Sequence, residues 1–312
     1  MPQPNLAQAR VQDPVLTAVA RGYRSPKAKV ANVLFPIVSV GKSAGKILVF
    51  GTEDFRLVST VRAPGANTKR VQYGYASGNF ALVDHRLEGA VPVENQREAG
   101  GEMPGIDLGA MALRRVLNVM ALEREVAASK LATDPANYAA SNKEALSGTS
   151  KWTDPTSDPA TDIDDAREAI RSQTGEKPNV LTLGPKPLRA LRRHPKILDR
   201  MSTAADRPPA SIAQLQAILE IETIIEGEAV YHDGASFVDV WGTNAVLAFT
   251  TPASAQEMGS PNYGYTYQLQ DGPNAEEAYF DENTNTWYYP VSDAYQPVLV
   301  GASAGFLFTG AA

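Results

Sequence analysis

Arg56-Leu-Val-Ser-Thr-Val-Arg62 and Lys69-Arg-Val-Gln-Tyr-Gly-Tyr75 are two runs of alternating polar and apolar residues joined by Ala63-Pro-Gly-Ala-Asn-Thr68. The alternation and the turn-rich joint predict a β-hairpin. An isolated two-stranded hairpin is at best marginally stable in water. This one is long and charged at its tip, so another surface must hold it, and the most economical candidate is a second copy of the chain. Arg62, Lys69, Arg70, Tyr73 and Tyr75 are the residues expected to make that inter-subunit contact. The sequence therefore points first to assembly and only then to chemistry.

Directly after the hairpin, Asn79-Phe-Ala-Leu-Val-Asp-His-Arg-Leu87 is mostly extended. Pro92 and Gly100-Gly-Glu-Met-Pro-Gly105 end that region. A helix is predicted from Ile106 to Thr133, stopped by Asp134-Pro135. Its length is roughly 40 Å at 1.5 Å per residue. Leu113, Val116, Leu117, Met120, Ala127 and Leu131 form an apolar side. Leu108, Met111, Val119, Leu122 and Val126 widen it, and Arg114, Asn118, Glu125 and Ser129 form a polar stripe. A helix apolar over so much of its girth packs on more than one side and serves as a spine.

Outward from this centre, residues 1–30 read as an arm with Pro2, Pro4, Pro14 and Pro26. Val33–Val40 and Lys46–Phe50 read as strands around a glycine-rich turn. Tyr138–Pro159 is a polar connection. Helix and strand then alternate: helices at Ile163–Ser172, Pro187–Arg200 and Ile212–Leu219, strands at Asn179–Leu183, Glu222–Ile225, Val230–Tyr231, Phe237–Trp241 and Ala245–Thr250. The last part is β-rich and tyrosine-rich: Tyr263–Leu269, Ala278–Phe280, Thr286–Val291 and Val298–Phe308, with Asp281–Asn285 as a hairpin loop.

The composition is that of an ordinary globular chain of 312 residues, 43% hydrophobic and 21% charged. A net charge of −6 argues against a nucleic-acid reader that works by overall positive charge. No apolar run approaches the ~20 residues of a membrane span, and the absence of cysteine removes disulfides, thiol catalysis and cysteine-based metal sites.

Motifs for chemistry do not hold up. Gly41-Lys-Ser-Ala-Gly45 and Gly301-Ala-Ser-Ala-Gly305 match G-x-S-x-G, but a strand follows Ser43, and no Asp or His follows Ser303. Gly41–Lys46 has three residues between its glycines, not the four of a phosphate loop. His85, His194 and His232 lack metal-ligand spacing, and His232-Asp233 reads as a turn. Asp154, Asp158, Asp162, Asp164 and Asp165 lack a calcium-loop pattern, and Thr161 or Asp162 capping a helix accounts for most of them. Arg189, Arg192, Arg193, His194 and Lys196 make one helix basic. It is read as a solvated face or, alternatively, as an interior or interface surface for phosphate or a neighbour's acids, carried by Arg189, Arg192 and Arg193.

Several stretches together resemble the major capsid proteins of tailed bacteriophages, whose fold is shared with encapsulin shells. They are Asp84-His-Arg-Leu-Glu88 before Val91-Pro-Val-Glu94, Leu117–Leu131, Ala132-Thr-Asp-Pro-Ala-Asn-Tyr138, Ser147-Gly-Thr-Ser-Lys-Trp-Thr-Asp154 with Ser157-Asp-Pro159, Leu191-Arg-Arg-His-Pro-Lys-Ile-Leu-Asp199 and Val240-Trp-Gly242. Their order and spacing carry the match across nearly the whole chain. The resemblance implies an α+β phage major-capsid fold in which the N-terminal arm (1–30) precedes strands and an extended loop (31–104, the loop about 51–90). A peripheral domain (105–161, spine 106–133) and an axial α/β domain (162–255) would follow. A peripheral β-hairpin (256–290) and a C-terminal strand returning to the axial domain (291–312) would complete it.

The implied function is structural, not enzymatic, and needs no cofactor. Copies assemble as hexamers and pentamers into an icosahedral head around double-stranded DNA, contacted non-specifically. A separate scaffolding protein and a portal would be partners, with no membrane involved; assembly would take place in the host cytoplasm and the product would be the virion. Some family members also form Lys–Asn isopeptide bonds, for which Lys69 with Asn283 or Asn285 are the candidates. The alternatives are an encapsulin-like compartment that holds cargo, and a soluble α/β enzyme whose site is not evident.

Overall fold

The computed structural model describes Thr17, Ala20, residues 29–49, Leu57, 59–62, 67–68, Arg70, 76–102, 107–201, 208–251, 262–270 and 272–312. Helix α1 spans Lys29–Leu34, and strands β1 (Ile37–Val40), β2 (Ala44–Val49), β3 (Ala76–Ala81) and β4 (Val83–Pro92) follow. Helix α2 (Val93–Glu102) leads to the long helix α3 (Leu108–Thr133). Asp107 starts α3 because its side chain accepts from the Ala110 N–H, and Asp134-Pro135 ends it in extended geometry. The expected spine helix is thus present, two residues shorter at its start.

Two sheets pack around this spine. The larger has six strands and is built on β14 (Thr286–Leu299). On one side β14 pairs antiparallel with β4 from Thr286↔Pro92 to Tyr295↔Val83. On its other side lie β13 (Tyr279–Asp281), β12 (Asn274–Ala275) and β11 (Gly264–Leu269) in turn. The parallel strand β1 joins beyond β11. The first half of α3 lies on this sheet, where Leu113, Val116, Leu117 and Met120 meet Ala275 and Val291. Ala20 belongs to the same cluster, and the Thr17 hydroxyl donates to the Ala275 carbonyl at 2.9 Å. The described residues of the N-terminal arm are therefore docked.

The second sheet has the order β5-β15-β10-β6-β7, formed by Lys143–Ala145, Gly305–Thr309, Ala245–Ala248, Val180–Leu183 and Thr223–Glu226. Helices α4 (Pro159–Thr174), α5 (Pro185–Arg193), α6 (Pro195–Met201) and α7 (Ile212–Leu219) cover one face through Ile163, Ile170, Leu188, Leu191 and Leu215. The other face meets α1 and the end of α3 through Leu34, Ala128, Ala132, Trp241 and Tyr263. A small ladder of β8 (Val230–His232) with β9 (Phe237–Asp239) stands apart beside β7.

Five expectations need correction. Val33–Val40 is not one strand: α1 precedes β1 because the Ala31 N–H, in the first turn of α1, donates to the distant Glu125 carboxylate at 2.9 Å. Such a tertiary cap leaves no local signal. The helix expected at Pro187–Arg200 is two helices, broken at His194-Pro195. The helix expected from Ile163 starts at Pro159 with Asp158 as its cap, so neither Thr161 nor Asp162 holds that place. Finally, the strands expected at Thr286–Val291 and Val298–Phe308 are β14, unbroken to Leu299, and β15 after a turn. Part of the stretch 51–90 assigned to the loop, Val83 to Ala90, is β4 and lies inside the large sheet.

The turn between β13 and β14 lies where expected. Asn285 there adopts φ +50°, its carbonyl accepts from the Val93 N–H, and its amide donates to Glu94 at 2.7 Å. Replacing Asn285 with alanine should cost about 1 kcal/mol, because a Cβ without a polar head disfavours the left-handed region. Urea unfolding of the unassembled subunit measures it.

Candidate assembly elements

The extended loop springs from the β2–β3 ladder, paired from Ala44↔Ala81 to Val49↔Ala76. Phe80 anchors it by stacking on Tyr267 at 4.6 Å, in a cluster with Val38, Tyr265 and Val300. Most of the expected hairpin, including all of Lys69–Tyr75 but Arg70, lies outside the described residues. Leu57, Ser59–Arg62, Asn67, Thr68 and Arg70 belong to no strand and are exposed. The physical reason is support: β2 and β3 have a hydrophobic partner within the subunit. Leu57 at 98% and Val61 at 83% exposure have none. Arg62 and Arg70 share this exposed stretch, whereas Lys69, Tyr73 and Tyr75 lie outside the described residues.

The polar stripe of the spine is only partly a solvated one. Glu125 and Ser129 are buried, while Met111 and Val119, expected on the apolar side, are largely exposed. Glu125 accepts from the Ala31 N–H through one oxygen and from the Trp241 indole N–H through the other, at 2.7 Å. Ser129 donates to the Val240 carbonyl at 2.7 Å. One helix face thus ties α1, the spine and the small sheet together. Nearby, the buried hydroxyls of Tyr138 and Tyr263 hydrogen-bond to one another. Burial pushes the Glu125 carboxyl above its ordinary range, against the pull of its two donors. A carboxyl with a higher pKa folded than unfolded stabilises the fold at low pH. That contribution is lost as pH rises from about 4.5 through the folded value. The stability difference between Glu125→Gln and the parent should therefore move in the variant's favour over that rise, as urea titrations at pH 4.5 and at neutral pH would record.

The basic face is real but unequal. Arg192 serves the fold, its Nε donating to the Ala210 carbonyl at 2.7 Å. Arg189 and Arg193 are exposed, without an ion pair among the described residues. They stand at the mouth of a cavity of about 460 Å³ between α5 and the segment after β5. Sequence reasoning missed this cavity because its walls come from separate stretches. Asn283 and Asn285 sit in the β13–β14 turn, and their candidate partner Lys69 is outside the described residues.

The residues weighed for chemistry have structural places. Ser43 lies in the turn before β2, and Ser303 in a turn before β15. His232 accepts from the Gly234 N–H in the β8–β9 turn. Asp154 and Asp158 cap backbone turns, and Asp162 accepts from the Trp152 indole at 2.9 Å.

A strand ladder, a spine helix and a two-sheet body make up the described fold, and comparison with known proteins assigns its class. The sequence profile of "Phage major capsid protein E" matches residues 137–267. The chain is 33% identical over 310 residues to the major capsid protein of Burkholderia phage BcepMu, covering 98% of each. It is 42% identical to a phage-related protein from Bordetella bronchiseptica of known crystal structure, with a TM-score of 0.82, covering 97% of this chain and 98% of that one. The capsid structure of cyanophage P-SCSP1u shares the fold at TM-score 0.57 and 11% identity, covering 92% and 89%. The chain belongs to the phage major capsid protein family. It is a structural protein of the virion that assembles with copies of itself.

Proposed function

We propose that this chain forms the hexamers and pentamers of an icosahedral head that encloses double-stranded DNA, without a catalytic step of its own. The observation that carries this reading is the end-to-end likeness to a phage major capsid protein, 33% over 98% of both chains. The exposed Leu57, Val61, Arg62 and Arg70 support it, because a loop with exposed apolar residues needs a neighbour to cover it. Lys69, Tyr73 and Tyr75 belong to the same proposed contact. Assembly takes place in the host cytoplasm around a separate scaffolding protein and a portal. DNA is held weakly and without sequence preference, in keeping with the net charge of −6. A covalent link from Lys69 to Asn283 or Asn285 of a neighbour belongs to the same reading and would show as chains inseparable in boiling detergent. The test is the content of particles from phage-producing cells after nuclease treatment. Protected double-stranded DNA of uniform length is expected; protein cargo without DNA would favour the compartment reading instead.

A further inference from the structure

We propose that the β8–β9 hairpin of one subunit docks into the cavity beside α5 of the next, closing the ring of a capsomer; this rests on the shell reading above. The hairpin is a two-stranded ladder outside both sheets. Its pairings Val230↔Asp239 and His232↔Phe237 place these four residues on one face. Phe237 is 78% exposed, touched by the His232 ring edge-on at 5.0 Å, and Val230 beside it is exposed too. Asp233 at the tip and Asp239 on the same face as Phe237 make this apolar surface acidic. An exposed aromatic on a marginal ladder calls for cover.

The cavity offers the complement. Trp152, Pro155, Ala190 and Pro195 give it an apolar lining, and Lys186, Arg189 and Arg193 give it positive charge. Its volume of about 460 Å³ suits an inserted side chain with its neighbours. His194, which also lines it, is 2% exposed. The His194 Nε2 lies 3.0 Å from the Asp154 carbonyl, which can only accept, so Nε2 carries the proton. Nδ1 is buried and has no partner among the described residues.

Placement also fits. The hairpin follows β7 and the Trp152 segment follows β5, and these are the two edge strands of the five-stranded sheet. A cyclic ring joins unlike surfaces of successive subunits, and the hairpin and the cavity are two such surfaces of one chain. A second copy is favoured over a foreign acidic segment because the chain carries both complementary parts.

The chain has no cysteine, so engineered thiols report cleanly. Subunits carrying only Ala235→Cys, which keeps Phe237, are assembled with subunits carrying only Thr153→Cys and then oxidised. A disulfide-linked dimer is expected from the mixture and not from either variant alone. A chain with both substitutions should give a ladder of linked chains on a non-reducing gel. In parallel, Arg189→Glu with Arg193→Glu should lower the yield of shells at least about tenfold, and Asp233→Arg with Asp239→Arg in the same chain should restore it. Shells that form with no mixed dimer overturn the docking and leave the shell reading intact, also where the cavity instead binds added DNA or an acidic peptide. Subunits that neither assemble nor cross-link overturn both.

Discussion

Replacing residues 50–75 by an Asn-Gly turn leaves the subunit folded and abolishes shell formation. The ladder ends at the pair Val49↔Ala76, and a two-residue turn with positive φ at both positions closes such a pair without altering its twist. The support for the ladder lies elsewhere, in Phe80 on Tyr267, so it survives the deletion. The described residues removed are exposed and bury no apolar surface within the subunit. Their loss should therefore shift the urea midpoint of the free subunit little. Assembly is another matter. Each interface would lose the apolar side chains of Leu57 and Val61, about 1.5–3 kcal/mol each when fully covered, together with the contacts of Arg62 and Arg70. The sum is multiplied over every subunit of a closed shell. Size-exclusion chromatography with circular dichroism separates the two effects, and normal shells from the shortened chain would refute the interface role of the loop.

The largest loss of subunit stability should follow Trp241→Ala. Trp241 is 1% exposed and packs among Ala128, Val180 and Val246, and its indole N–H satisfies Glu125. Gly227 lies against the ring so closely that a Cβ there would overlap it. Truncation leaves a cavity and deprives a buried carboxyl of one of its two donors. The expected cost is about 3–5 kcal/mol, as for aromatic-to-alanine changes in other cores. Trp241→Phe keeps most of the packing and loses only the donor, and should cost about 1–3 kcal/mol. The difference between the two variants, read from urea unfolding of free subunits, divides packing from hydrogen bonding. Equal costs would mean that the hydrogen bond, not the ring, holds the spine to the small sheet.

These two sites also show what the sequence can and cannot reveal. The spine helix is legible because its apolar residues recur at helical spacing up to the stop at Asp134-Pro135. The alternation of helix and strand from α4 to β10 was legible for the same reason, as each element is short and bounded by turn residues. Glu125 reads only as part of a polar stripe, because the two donors that justify its burial come from Ala31 and Trp241, far away in the chain. β14 was read as broken because Pro290, Asp293 and Pro297 resemble punctuation. In the fold the Gln268 amide meets the Asp293 carboxylate at 2.8–2.9 Å, a pairing no local window contains. The loop reads from its alternation as an element in need of a partner, but that pattern does not reveal the β2–β3 ladder at its base, whose support comes from Tyr267 far along the chain. The cavity beside α5 had no signature at all beyond its arginines.

The most direct measurement is negative-stain electron microscopy of the purified, concentrated protein, read beside its size-exclusion profile. Closed shells of uniform diameter, or rings of six and five subunits eluting as discrete capsomers, are the predicted result. A homogeneous monomer or dimer under those conditions would contradict the account.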